Sequence, residues 1–115
     1  MSNPAFEAIK ALLVPYANHY AVTKDTDKRY TLEESAPTVG IFAHLEANRA
    51  GARLFFYPLQ MFPDLRASAP PKLEKRIEYN VILKFAEVTA ADQDALARLF
   101  ADGHEAVNER RKPTS

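Results

Sequence analysis

Four carboxylates fall close together in the first third of the chain: Asp25 and Asp27 in the stretch DTDK, then Glu33 and Glu34. Oxygen-only groups of this kind suit hard cations. They are the metal candidates the sequence offers, although a polar turn beside a solvated strand is the favoured reading of the same residues. The three histidines, His19, His44 and His104, are far apart, with no H-x-H or H-x-x-x-H pair. No helical or strand metal motif follows from them. His104 lies near the expected end of a helix, where a cation complements the helix dipole. His44 falls within an apolar strand and reads as a residue of an open sheet face.

Other chemistries are excluded more firmly. The absence of Cys removes thiolate nucleophiles, Cys-ligated metals and disulfides. Ser2, Ser35, Ser68 and Ser115 lie in loops or tails without the context of a nucleophile elbow. Only three glycines are present, with no Gly-rich phosphate loop. Fifteen basic residues balance fifteen acidic ones, so no bulk field attracts nucleic acid or an anionic membrane. Lys72, Lys75 and Arg76 form one small basic group and Arg110, Arg111 and Lys112 another, without interleaved aromatics. Arg76 has the geometry to hold an acidic partner bidentately. No run is long and apolar enough to span a bilayer. The start MSNPAFEAIK has no basic region followed by an apolar stretch, so the expected location is the cytoplasm.

The elements that must position these residues are legible from spacing. The chain of 115 residues reads as a single domain over 1–115. Asn3-Pro4 starts a helix over 4–14, with an Asx cap and Pro in the first turn. Phe6, Ile9, Leu12 or Leu13 and Tyr16 form its stripe, and Pro15 ends or kinks it. Strands are expected over 20–24, 38–46, 53–57 and 77–85, with RYTLEE as a short extra strand or loop. Alternation over 38–46 places Val39, Ile41, Ala43 and Leu45 on one face. Gly40, Phe42 and His44 fall on the other, open face. Gly51 takes the positive φ of the hairpin between the second pair of strands. Thr89 and Asp92 have capping-box spacing at the start of the last helix. Leu96, Leu99, Phe100, Gly103 and Val107 keep to one face of that helix, which is expected to fray around Arg110. The expected fold is α+β: a two-layer sandwich, with a mainly antiparallel sheet of four to five strands and the N- and C-terminal helices packed on one face.

The stretch YPLQMFPDL, residues 57–65, leaves a strand and crosses toward the last one. Its prolines are expected to hold an extended arch, with Leu59, Met61, Phe62 and Leu65 plugging the sandwich edge. The alternative is that the arch walls a ligand cleft, with Met61 as an adaptable surface. Phe42, His44, Tyr57, Met61 and Arg76 are the expected binding surface.

A strand followed by P-x-x-x-x-P-x-L, a Pro-bearing bend, L-x-K-R and a strand ending in Phe resembles the bacterial YdhG-like family, catalogued as domain of unknown function 1801. The matching residues are Pro58, Pro63, Leu65, Pro70, Leu73, Lys75, Arg76 and Phe85. The resemblance covers about residues 30–108. Many members of that family follow the basic pair with Gly-Lys-Ser-Cys-Phe, where this chain has Tyr79, Asn80, Val81, Ile82 and Leu83. No activity that needs that Lys, Ser or Cys carries over. The resemblance implies a compact frataxin-like α+β fold without an established enzyme activity, and an iron-chaperone role by analogy. The function expected is therefore a non-enzymatic binding or chaperone-like module, with no cofactor other than the iron of that analogy. Its partner is an unidentified protein or small ligand. The alternatives are a small enzyme acting on a metabolite in the cleft beneath the arch, and a structural homodimer joined through Phe42 and the arch.

Overall fold

A computed structural model describes residues 3–34 and 40–111. Thr38 and Val39 of the third expected strand, Ser2, Ser35, Ser115 and the tail from Lys112 lie outside the described residues.

The chain opens with α1, Pro4–Leu13. Asn3 Oδ1 accepts from the Phe6 amide at 3.0 Å, satisfying one of the free donors of the first turn. Asn3 Nδ2 donates to the Gly51 carbonyl at 2.8 Å, tying the helix start to a hairpin far along the chain. Pro15 stops the α pattern, and the backbone tightens into a 3-10 turn over Val14–Asn18.

Six strands follow: β1 Ala21–Asp25, β2 Arg29–Glu33, β3 Ile41–Asn48, β4 Gly51–Phe56, β5 Ile77–Glu78 and β6 Ile82–Phe85. They form one antiparallel sheet in the order β1-β2-β3-β4-β6-β5. Gly51 has φ 135°, and a Cβ there would sit 2.0 Å from the Phe85 carbonyl oxygen, so the hairpin needs glycine.

The apolar run 77–85 does not make one long strand. Tyr79 and Asn80 have φ of 53° and 64°, and the Val81 amide donates to the Glu78 carbonyl at 3.1 Å. Two consecutive positive φ values are what a tight type I′ hairpin requires. The run therefore folds into β5 and β6, which brings the sheet to six strands rather than four or five.

The arch is not extended either. Its two prolines start short helices, α2 Pro58–Met61 and α3 Pro63–Ala67, and beyond the arch Pro71 starts α4, Pro71–Glu74. Proline suits the first helical position, because its missing amide hydrogen has no partner there in any case. Leu59 and Leu65 are buried and Met61 and Phe62 pack against the core, so the arch does plug the edge.

The last helix, α5, runs Ala90–Arg111. Its capping box closes reciprocally: the Thr89 amide donates to Asp92 Oδ2 at 3.0 Å and the Asp92 amide to Thr89 Oγ1 at 3.1 Å. Leu96, Leu99, Phe100 and Val107 are buried, and Phe100 lies 5.1 Å from Phe56. A Cβ on Gly103 would come within 2.5 Å of the Phe56 ring, so α5 crosses the sheet where only glycine fits. Both terminal helices thus cover one sheet face, giving the two-layer α+β architecture.

Asp92 carries a test of this cap. Its side chain is 1% exposed, with Lys72 at 3.7 Å and Arg76 at 3.9 Å. Burial pushes its carboxyl up, but the Thr89 amide and hydroxyl and the two cations outweigh that and hold it below the usual carboxylate range. A depressed folded-state value means stability that is present above the unfolded-state value, about pH 4, and lost as pH falls through the folded one. Asp92→Asn should therefore cost about 1 kcal/mol at pH 7, a deficit that closes below about pH 4. Urea unfolding of both proteins across that range checks it.

Candidate functional site

On the uncovered sheet face, strand pairing aligns Thr31, His44 and Phe55 in one row and Glu46 and Arg53 in the next. His44 Nε2 donates to Glu46 Oε1 at 3.0 Å, and its Nδ1 accepts from the Thr31 hydroxyl at 2.6 Å. Arg53 donates to Glu46 Oε2 at 2.8 Å and lies over the Phe55 ring. The Arg53 guanidinium first, and the His44 hydrogen bond second, hold the Glu46 carboxyl below its ordinary range. A hydroxyl, an imidazole and a carboxylate in sequence have the outline of an activated nucleophile. The surroundings do not support that chemistry. Thr31 is 5% exposed, and β2 is paired on both sides, so its amides are spent in ladders rather than aimed at a reacting oxygen. The row is a cross-strand polar network on a solvated face.

Phe42 does not join that face. Glu33 pairs with Ile41 and Leu32 with Ala43, so β3 carries one extra residue, Phe42, at a bulge. The bulge breaks the alternation, and both Phe42 and Ala43 turn into the core. Phe42 stacks on Tyr20 at 4.2 Å and meets Phe56 at 5.1 Å. It is unavailable as a binding or dimer surface. Arg76 is likewise occupied: it donates to the Lys84 carbonyl at 3.1 Å and lies over Phe85. Tyr57 is the residue that precedes α2, and its amide donates to the Phe42 carbonyl at 3.3 Å. Of the expected surface, His44 lies on the open face, and Met61 lies in α2, packed against the core and touching Arg110.

The four candidate metal carboxylates separate. Asp25 pairs across the sheet with Tyr30, whereas Glu33 pairs with Ala21 at the opposite end of the β1–β2 ribbon. Asp25 binds Lys10 at 2.8 Å, and Glu34 binds Arg110 at 2.5 and 2.7 Å. The turn at 25–29 reverses the chain, and each strand residue then carries the glutamates roughly 3.3 Å further away. Among the described residues no group of three His, Asp or Glu side chains converges to hold a metal ion.

Two features have no local signal in the sequence. His19 and His104, remote in the chain, have ring centres 4.6 Å apart. His104 is not at the helix end: α5 continues to Arg111, and His104 Nδ1 donates to the Tyr20 hydroxyl at 2.8 Å while Nε2 accepts from Asn108 at 3.1 Å.

The second feature is the cleft between arch and α5, with a volume of about 650 Å³. Phe62, Pro63 and Leu65 form its apolar side and Ala106 lies opposite; Asp64, Asp102, Glu105 and Glu109 supply carboxylates, and Arg110 closes one end. Residues 102, 105, 106 and 109 share one face of α5 and span roughly 10 Å along the axis. Among the described residues Arg110 is the one cation in the wall, and it is engaged, since it forks onto the buried Glu34 and lies over Phe62. Among the described residues the cleft is lined by four carboxylates, of which Asp102 meets Arg98 at 3.8 Å, and by an apolar wall. Compared with known proteins, the chain matches no family model, no curated sequence and no solved structure.

Proposed function

We propose that this protein is a non-catalytic binding module whose ligand is an extended organic cation, held in the cleft between arch and α5. The observation that carries this reading is the cleft itself. Its volume of about 650 Å³ falls within the range of small-molecule sites. Three of its carboxylates lie along α5 and Asp64 on the arch, and no three of them converge on a point. Charge spread along a groove suits separated ammonium groups on a hydrocarbon chain better than a single metal ion, which needs its oxygen ligands gathered around it. The apolar arch faces the methylene segments, and the helix wall faces the amines. A binding role is also what the resemblance to the YdhG-like family implies, although the iron of that analogy is not the ligand proposed.

The test is calorimetric titration with spermidine at low salt. Glu105→Gln should weaken binding about threefold to fivefold, the worth of one exposed ion pair, and added salt should weaken it further. Ala106→Phe should abolish it by filling the cleft while leaving the melting temperature near that of wild type. Unchanged affinity in Ala106→Phe would place the ligand elsewhere.

A further inference from the structure

The pair His19–His104 takes no part in the cleft between arch and α5, since neither residue lines it. His19 closes the 3-10 turn that follows α1 and is exposed. Among the described residues its ring touches that of His104 and forms no hydrogen bond. His104 projects from α5 with its tautomer fixed. Its Nδ1 donates at 2.8 Å to the hydroxyl of Tyr20, which is 5% exposed and stacked on Phe42, so the lone pair belongs to Nε2. Nε2 accepts from Asn108 Nδ2 at 3.1 Å on the exposed side of the helix. A metal-ligating imidazole is held in the same way, with one nitrogen donating to a fixed acceptor and the other presenting its lone pair.

We infer that His19 and His104 are the protein ligands of a late first-row divalent metal ion, of the copper, nickel and zinc class, whose other positions are filled by water. The spacing fits. Two imidazoles on one ion, each with its nitrogen about 2.1 Å from the metal, have ring centres roughly 4.5–5.2 Å apart for ligand angles between square and tetrahedral. The two ring centres here are 4.6 Å apart, and the planes are inclined by 49° rather than lying flush. His19, exposed and unbonded, turns to bring a nitrogen beside Nε2 of His104. The Asn108 amide then gives up its contact and can offer its carbonyl oxygen instead. Imidazole ligands without a carboxylate select copper, nickel and zinc over magnesium and calcium, which take oxygen, and over ferrous iron, which binds nitrogen sites more weakly. The third histidine is not equivalent: His44 Nε2 donates to Glu46 and its Nδ1 accepts from the Thr31 hydroxyl. The ion ties the turn after α1 to the last helix, segments remote in the chain, so its binding favours the folded state.

Thermal unfolding of the untagged chain with nickel, and with magnesium as control, tests the inference. The melting temperature should rise by about 5 °C at a nickel concentration ten times the dissociation constant, and magnesium should leave it unchanged. His19→Gln removes an exposed ring that makes no hydrogen bond. Its melting temperature without metal should stay near that of wild type, and the nickel shift should vanish. Nitrogen NMR of the histidine rings with zinc locates the ion: His19 and His104 should respond together and His44 should not. A nickel shift that survives in His19→Gln, a zinc response at His44 in place of the pair, or a wild type that nickel does not stabilise would overturn it.

Discussion

Phe42→Ala should destabilise the protein by about 4 kcal/mol, the usual cost of emptying a buried phenylalanine site. For a domain of this size that lowers the melting temperature by roughly 15 °C. The ring is 0% exposed, stacked on Tyr20 at 4.2 Å and edge-on to Phe56 at 5.1 Å, and its removal opens a cavity where the 3-10 turn, β3 and β4 meet. Phe42→Asp adds an unpaired buried charge to that cavity and should leave no cooperative unfolding transition. On an open sheet face the alanine substitution would shift stability by only about 0.5 kcal/mol. Differential scanning calorimetry of the two variants separates these cases without ambiguity.

Arg110→Ala is the second large effect. Arg110 joins elements distant in sequence: its guanidinium forks onto Glu34 just beyond β2 at 2.5 and 2.7 Å, touches Met61 Sδ at 3.3 Å and lies over Phe62. The Glu34 side chain is 2% exposed, so removing the cation takes a charged partner away from a buried carboxylate. Breaking a buried pair from one side costs about 3–5 kcal/mol, and the partial exposure of Arg110 places this case near 3. Most of that is the desolvation of the buried carboxylate, which the fork no longer offsets, rather than the worth of the pair. The loss should therefore shrink by about 2 kcal/mol when Arg110→Ala is made in a Glu34→Gln background. A double-mutant cycle in urea measures the coupling. Additive losses would mean that the fork contributes little beyond two independent side chains.

These residues also show where the sequence could be read and where it could not. Terminal helices are announced by local chemistry: Asn3-Pro4 and Thr89–Asp92 are caps whose hydrogen bonds form within a few residues, and both are present. The stripe from Leu96 to Val107 keeps one period over three turns, and its residues are the ones buried against the sheet. Gly51 is in the positive-φ position its hairpin demands. Phe42 was not legible, because strict alternation assumes an unbroken ladder and one bulged residue reverses the parity. The same limit applies to 77–85, where apolar alternation hides a turn built on Tyr79 and Asn80, the first of which is a poor candidate for positive φ. The prolines of 57–65 are expected to keep the chain extended, whereas Pro58 and Pro63 each start a helical turn.

Sites made by docking remote segments were the least accessible. Asp102, Glu105 and Glu109 carry no signal of a site in the sequence, and only the seating of α3 against α5 turns them into the wall of a cleft. The expected metal carboxylates failed for the converse reason. Proximity in sequence did not survive the reversal at 25–29, and two of the four were claimed by Lys10 and Arg110.

The most direct test of the cleft reading is an amide NMR titration of the labelled protein with spermidine, with magnesium and hexanoate as controls. The account predicts saturable shifts confined to residues 62–68 and 102–110, which neither control reproduces. Shifts that magnesium reproduces, or that spread equally over the carboxylates of residues 25–34, would contradict it.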